Sequence, residues 1–141
     1  MGRLLGVDLG SKRIGIAVSD PTGVVVTPLE VIARSGDLAA DHEAILAIAR
    51  EQQAERVVVG LPTALSGRKG IAARAALDEI AALQAAAGDA LPIEPYDERL
   101  TTVIANRTLL EGNVKRAQRR KVVDKVAAAV LLQSYLEAHR G

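Results

Sequence analysis

The stretch RLLGVDLGSKRIGIAVSD (residues 3–20) decides the fold, because it reads as two strands joined by a short turn. Over residues 3–10 the side chains alternate, with Leu5, Val7 and Leu9 on one face and Gly6, Asp8 and Gly10 on the other. That two-residue period is the mark of a strand. Ser11-Lys12-Arg13 forms the turn, and Ile14 to Ser19 continues as a second strand with Ile14, Ile16 and Val18 on one face. Asp8 stands out in this pattern. A carboxylate in the middle of an apolar strand is costly to desolvate unless it is paired or bound to a cation. A neighbouring arginine, or a nearby turn to cap, would give it a structural role. The glycines on either side, by leaving room for a ligand, favour a site.

Working outward, Asp20-Pro21-Thr22-Gly23 is a turn with Pro second and Gly fourth. A third strand runs from Val24 to about Ile32, and Pro28 inside it calls for an edge position or a bulge. The period then lengthens. Ser35 or Asp37 can cap a helix reaching Gln53, with Ile45, Ile48 and Ala49 facing inward. Val57 to Leu61 is a continuous apolar run, as expected of a strand covered on both faces. A loop, PTALSGRKG (residues 62–70), leads to an Ala-rich helix from Ile71 to Ala87, stopped by Gly88. Residues 91–97 form the last strand, Thr101 or Thr102 caps a helix to Glu111, and a long helix covers Arg116 to His139. This order predicts one α/β domain over residues 1–141. Its sheet has five strands, three antiparallel and then parallel ones, with helices on both faces.

The chain has 141 residues, 49% hydrophobic, enough for a core of ordinary size. Its net charge of +1 does not announce a nucleic-acid partner, so the distribution of charge has to be read instead. Absence of cysteine excludes disulfides and thiolate zinc sites and fits a reducing compartment. With no secretory signal, no myristoylation pattern and no apolar run near the ~20 residues that span a bilayer, the expected location is cytoplasmic, with no membrane partner. Tyr96 and Tyr135 are the only aromatic residues, which argues against base-stacking modules. Any contact with nucleic acid would rest on charge, backbone amides and shape.

Two further acidic positions join Asp8. Asp124 heads the stripe Asp124, Ala127, Ala128, Leu131, Tyr135 on the last helix, the side expected to face the sheet. A salt bridge to Lys121 or Lys125 is its structural alternative. Asp97-Glu98 follow the last strand, where sites collect in such sheets, with Arg99 beside them as a plain ion-pair partner. Acids converging without His or Cys suit hard divalent ions such as Mg²⁺ or Mn²⁺. Two such ions ~3.5–4 Å apart can activate water and stabilise the leaving oxygen of a phosphodiester. His42, on a polar helix face, and His139, at a frayed end, are read as non-catalytic. Basic residues gather nearby: Lys12-Arg13 after the Asp8 strand, Arg68-Lys69 in the loop, Arg99, and Lys115, Arg116, Arg119, Arg120, Lys121 and Lys125 leading into the last helix. A solvated helix face explains such a run equally simply, yet the layout would guide a phosphate backbone to metals. Gly10, Gly67 and Gly70 would let backbone N–H groups approach phosphate.

The blocks GVDLGSKRIGIAVSD (6–20), VVVGLP with its following glycines (57–70), DERLTT (97–102) and KVVDKVAAAVLLQSYL (121–136) resemble the YqgF/RuvX family over almost the whole chain. The resemblance implies an RNase H-like fold. It also implies a role as Holliday-junction resolvase, or as a nuclease finishing the 5′ end of precursor 16S ribosomal RNA. Its acidic site falls on Asp8, Glu98 and Asp124, served by Mg²⁺ or Mn²⁺, with Asp97 as the alternative to Glu98. The loop departs from the family pattern, since Thr63-Ala64-Leu65-Ser66 stand where an Asn and a Met are common, and Arg68-Lys69 make it more basic. Both changes bear on substrate preference. Symmetrical cutting of a DNA junction needs two sites, so a homodimer would favour that substrate. Two other readings compete. One is an adaptor that binds nucleic acid without cleaving it. The other is an actin-like or sugar-kinase-like ATP-binding domain, whose usual second domain a chain of this length lacks.

Overall fold

The structure is a computed structural model that describes the backbone of residues 2–61, 69–97 and 116–139, with side chains for residues 2–61, 74–96 and 126–139. Strands β1 (Leu4–Leu9), β2 (Arg13–Ser19), β3 (Val26–Ala33), β4 (Arg56–Leu61) and β5 (Ile93–Asp97) form one sheet in the order β3-β2-β1-β4-β5. β1 pairs antiparallel with β2, and β2 with β3, whereas β1–β4 and β4–β5 are parallel. Helices α1 (Leu38–Glu51), α2 (Lys69–Ala87) and α3 (Arg116–Ala138) complete the described elements, with a short 3-10 turn at Gly88–Ala90. The expected mixed five-stranded α/β sheet is therefore present.

The sheet separates two cores. On one face Leu5, Val7, Ile14, Ile16, Val57, Val59 and Ile93 pack against Ile45, Leu46 and Ala49 of α1 and Ile80 and Leu83 of α2. On the other, Leu4 and Val58 pack against Leu132, Tyr135 and Leu136 of α3. Val57, Val58 and Val59 are all fully buried, because β4 is covered on both sides.

Pro28 fulfils both readings made of it: β3 is an edge strand, and its register with β2 shifts between Ile16 and Ala17, which pair with Glu30 and Pro28. β3 starts two residues later than its apolar run. The N–H groups of Val24 and Val25 donate to Asp20 Oδ1 at 2.9 and 3.1 Å, so the turn takes these residues and leaves both side chains exposed. Asp37, not Ser35, caps α1, accepting from the N–H groups of Ala39 (3.0 Å) and Ala40 (3.4 Å). α2 begins at Lys69, so Lys69 and Gly70 open a helix instead of closing a loop. A first turn needs no intrahelical N–H partners and tolerates such residues. Gly88, at φ 68°, ends it as expected. The helix expected between Thr101 and Glu111 lies outside the described residues.

Candidate active site

Asp8 sits near the C-terminal end of the central strand and is only 6% exposed. Strand alternation places it with Leu4 and Gly6 on the face covered by α3. Its cross-strand partner on β2 is Gly15. On the other side the ladder pairs Val7 with Val59, so one further step sets Gly60 level with Asp8, and Gly60 in turn pairs with Tyr96 of β5. The acid is thus flanked laterally by two residues without side chains.

This alters the reading of the glycines along β1. A Cβ on Gly6 would lie 2.8 Å from the Cβ of Leu132 and 2.9 Å from the carbonyl oxygen of Ala128. Gly6 makes room for a helix, not for a ligand. A Cβ on Gly10 would come within 2.4 Å of the Arg13 carbonyl oxygen, and its N–H donates to the Asp8 carbonyl at 3.1 Å. The Gly10 N–H is therefore already engaged in the turn, which corrects its expected role as a phosphate ligand.

The stripe expected on α3 is present wherever its side chains are described: Ala127, Ala128, Leu131 and Tyr135 are all buried. Tyr96 and Val130 pack against Ala127 and Leu131, and the Tyr96 ring meets that of Tyr135 edge-on at 5.5 Å. Residue 124 lies on the same helix, one turn before Ala128. Of the other expected residues, Lys69 starts α2, and Arg116, Arg119, Arg120 and Lys121 lie in the first two turns of α3. Glu98, Arg68, Arg99 and Lys115 lie outside the described residues. Among the described residues no three acids or histidines are grouped to hold a metal.

Lys12 is exposed in the turn after β1, and Arg13, half-buried, opens β2. This turn is held by a residue the sequence reading passed over. Arg34, immediately after β3, donates its backbone N–H to the Lys12 carbonyl at 2.9 Å and its Nε to the Gly10 carbonyl at 3.0 Å. Its two terminal nitrogens reach the Glu79 carboxylate on α2 at 2.6 and 3.0 Å. His42 Nε2 lies 2.9 Å from the same carboxylate. Burial pushes the Glu79 carboxyl up, but the hydrogen bonds from Arg34 and His42 outweigh it and hold the group below the usual carboxylate range. His42 is buried, which corrects its placement on a polar face. The signal was available: positions 42, 45, 46 and 49 follow the spacing of one helix stripe.

The far end of the same sheet face is closed by side chains bonded to one another. Tyr135 donates its hydroxyl to Glu94, and Arg56 Nη1 stands 2.7 Å from the same carboxylate oxygen. Beside them is a cleft of about 340 Å³ lined by Leu4, Glu55, Arg56, Glu94, Tyr135 and His139. The His139 ring stacks on Tyr135 at 4.0 Å, its Nδ1 lying 2.8 Å from the Tyr135 carbonyl oxygen.

A mixed five-stranded sheet with a buried central-strand acid and a long helix across that acid's face is the RNase H-like fold. RuvC of T. thermophilus bound to a Holliday junction superposes with a TM-score of 0.63 at 19% identity, covering 100% of this chain and 97% of that one. The chain belongs to the RuvX family, described as Holliday junction resolvase, whose model matches residues 2–138. Relatives include a protein of Myxococcus xanthus, 44% identical over 98% of this chain and 89% of its own length. Another, from Moorella thermoacetica, is 45% identical over 96% and 94%. Both carry the name "Putative pre-16S rRNA nuclease". Membership of this family sets aside the ATP-binding reading. No helix among the described residues is long and apolar enough to cross a membrane.

Proposed function

We propose that this nuclease cleaves structured nucleic acid, a branched DNA or a ribosomal RNA precursor, using Mg²⁺ or Mn²⁺ held by Asp8, Glu98 and Asp124. The observation that carries the proposal is Asp8, a buried acid on the central strand with glycines on both sides. Register along α3 supports Asp124. Leu4 shares one packed cluster with Leu132 and Leu136, and Gly6 lies against Ala128 and Leu132, which fits two strand residues matching four helix residues. The rises agree, at about 6.6 Å for the strand step and about 6 Å for the helix step. A further step brings Asp8 level with residues 124 and 128. On β5, Glu94 and Tyr96 share the Asp8 face, and the acidic pair Asp97-Glu98 comes at and just after the end of that strand in the sequence.

A set of carboxylates suits a hard divalent ion. Bound there, such ions would activate water and stabilise the leaving oxygen. The chain's own part is to hold the acids on rigid elements and to bind phosphates through Lys12 and Arg13, with Arg68, Lys69, Arg99, Lys115, Arg116, Arg119, Arg120 and Lys121 extending the basic approach. The cytoplasm is where both substrates would be met, and a homodimer would fit paired cuts in a junction.

The test is to offer purified protein with Mn²⁺ both a four-way DNA junction and an rRNA precursor with its 5′ extension. Metal-dependent cleavage of either, lost in Asp8→Asn, is expected. Cleavage that persists in chelator would overturn the metal site, and tight binding without cleavage would favour the adaptor reading.

A further inference from the structure

We propose that Arg34, braced by Glu79, is a positioning residue for the nucleic-acid-binding turn Gly10–Arg13. The inference rests on the reading of Lys12 and Arg13 as phosphate contacts. A four-residue turn at the end of a strand has few means of holding its shape, and fixing it costs backbone entropy. Here one arginine just beyond the end of β3 engages two of its carbonyls, Lys12 through the backbone N–H and Gly10 through Nε. Gly10 is itself tied to the carbonyl of Asp8. The chain of bonds therefore runs from α2, through Glu79 and Arg34, to the turn and on to the backbone of the proposed metal ligand.

The guanidinium is the group this task requires. Its planar fork offers Nε to a carbonyl while two terminal nitrogens bind a carboxylate side by side. A lysine ammonium, as a single centre, cannot span both partners. Burial keeps the arrangement in one geometry: the side chains of Arg34, Glu79 and His42 are 16%, 13% and 4% exposed. His42 adds a second contact on Glu79 Oε2, so α1 and α2 both fix the carboxylate. If these bonds only packed α2 on the sheet, they would not need to reach the Gly10 carbonyl.

The experiment is a double-mutant cycle on binding of a fluorescent four-way junction and a stem-loop RNA, in chelator so that nothing is cut. Arg34→Lys is expected to weaken binding by roughly threefold to tenfold and to flatten its salt dependence. In a Lys12→Ala, Arg13→Ala background the same substitution should have no further effect, because the turn then has no phosphate contacts to position. A loss that persists in that background assigns Arg34 a general structural role and overturns the proposal. Unchanged binding in Arg34→Lys with a folded spectrum also overturns it. If Arg34→Lys fails to fold, Glu79→Gln carries the test with the same expectations at smaller size. Should Lys12→Ala, Arg13→Ala itself leave binding intact, the phosphate-contact reading has failed and the positioning proposal falls with it.

Discussion

The α3-covered face of the sheet carries a strand acid at each end, and the two differ in burial and in the residues beside them. Glu94 on β5 is one-third exposed and is engaged by Arg56 and Tyr135. Asp8 on β1 is almost wholly buried, and the residues beside it across the sheet are glycines. Glu94 stands at the more open end, with a cation and a hydroxyl in place. The comparison teaches that an acid within a strand is not by itself a site. Its neighbours across the sheet decide, and those come from parts of the chain far away in sequence.

The largest effect that would break this contrast is on catalysis. Asp8→Asn keeps shape and volume, and cleavage is expected to fall by at least about 100-fold, since even groups behind a metal ligand are worth about 10–100-fold. Glu94→Gln should leave the rate unchanged. Equal losses in the two variants, measured with the same junction or precursor, would erase the distinction between the two ends.

Next in size is the helix that joins them. Gly6→Val would force a side chain against Leu132 and the Ala128 carbonyl, where no space exists. The expected cost is about 1–3 kcal/mol, read as a lower urea midpoint at constant slope. Because α3 also carries Asp124, activity should fall more than the folded fraction does. A variant with wild-type stability would mean that α3 is not held against β1 as closely as this.

Much of this was legible in the sequence, and the reasons are local. Alternation in residues 3–19, the proline in β3 and the unbroken valines of β4 each report a contact pattern along a single strand, so the mixed five-stranded sheet followed, though not the order of its strands. Asp8 was visible for the same reason. Arg34 and Glu79 were not: they stand 45 residues apart and meet only because β3 and α2 flank the same turn. The roles of Gly6 and Gly10 were misjudged because space beside a residue cannot be told from space already filled by another element. His42 had the right stripe spacing, but its partner Glu79 lies 37 residues away.

A smaller effect tests the structural end alone. Burial raises the Glu94 carboxyl, yet the hydrogen bonds from Tyr135 and Arg56 prevail and hold it below its ordinary value. A depressed carboxyl contributes stability that is present above the unfolded value, near about 4.3, and is lost as pH falls through the folded one. Tyr135→Phe should therefore cost about 1 kcal/mol at pH 7, discounted for partial exposure, and less at pH 3. Equal losses at both pH values would place the stabilisation in ring packing instead.

The smallest effect concerns Asp20, a third strand-end acid, at the same end of the sheet as Glu94. Its carboxylate accepts from the N–H groups of Val24 and Val25 and from the Thr22 hydroxyl. The Thr22 bond comes first and the two backbone bonds after it in lowering this carboxyl to about 2. The sign follows: the charged form is favoured by folding, so its contribution is complete above the ordinary Asp value near about 3.9 and disappears toward pH 2. A carboxyl titration followed by NMR should give a midpoint near 2 for Asp20, moving upward in Thr22→Ala. A midpoint in the ordinary range would show that the turn is not closed in this way. The start of β3 at Val26 would then need another explanation, since these same bonds take Val24 and Val25 out of the strand.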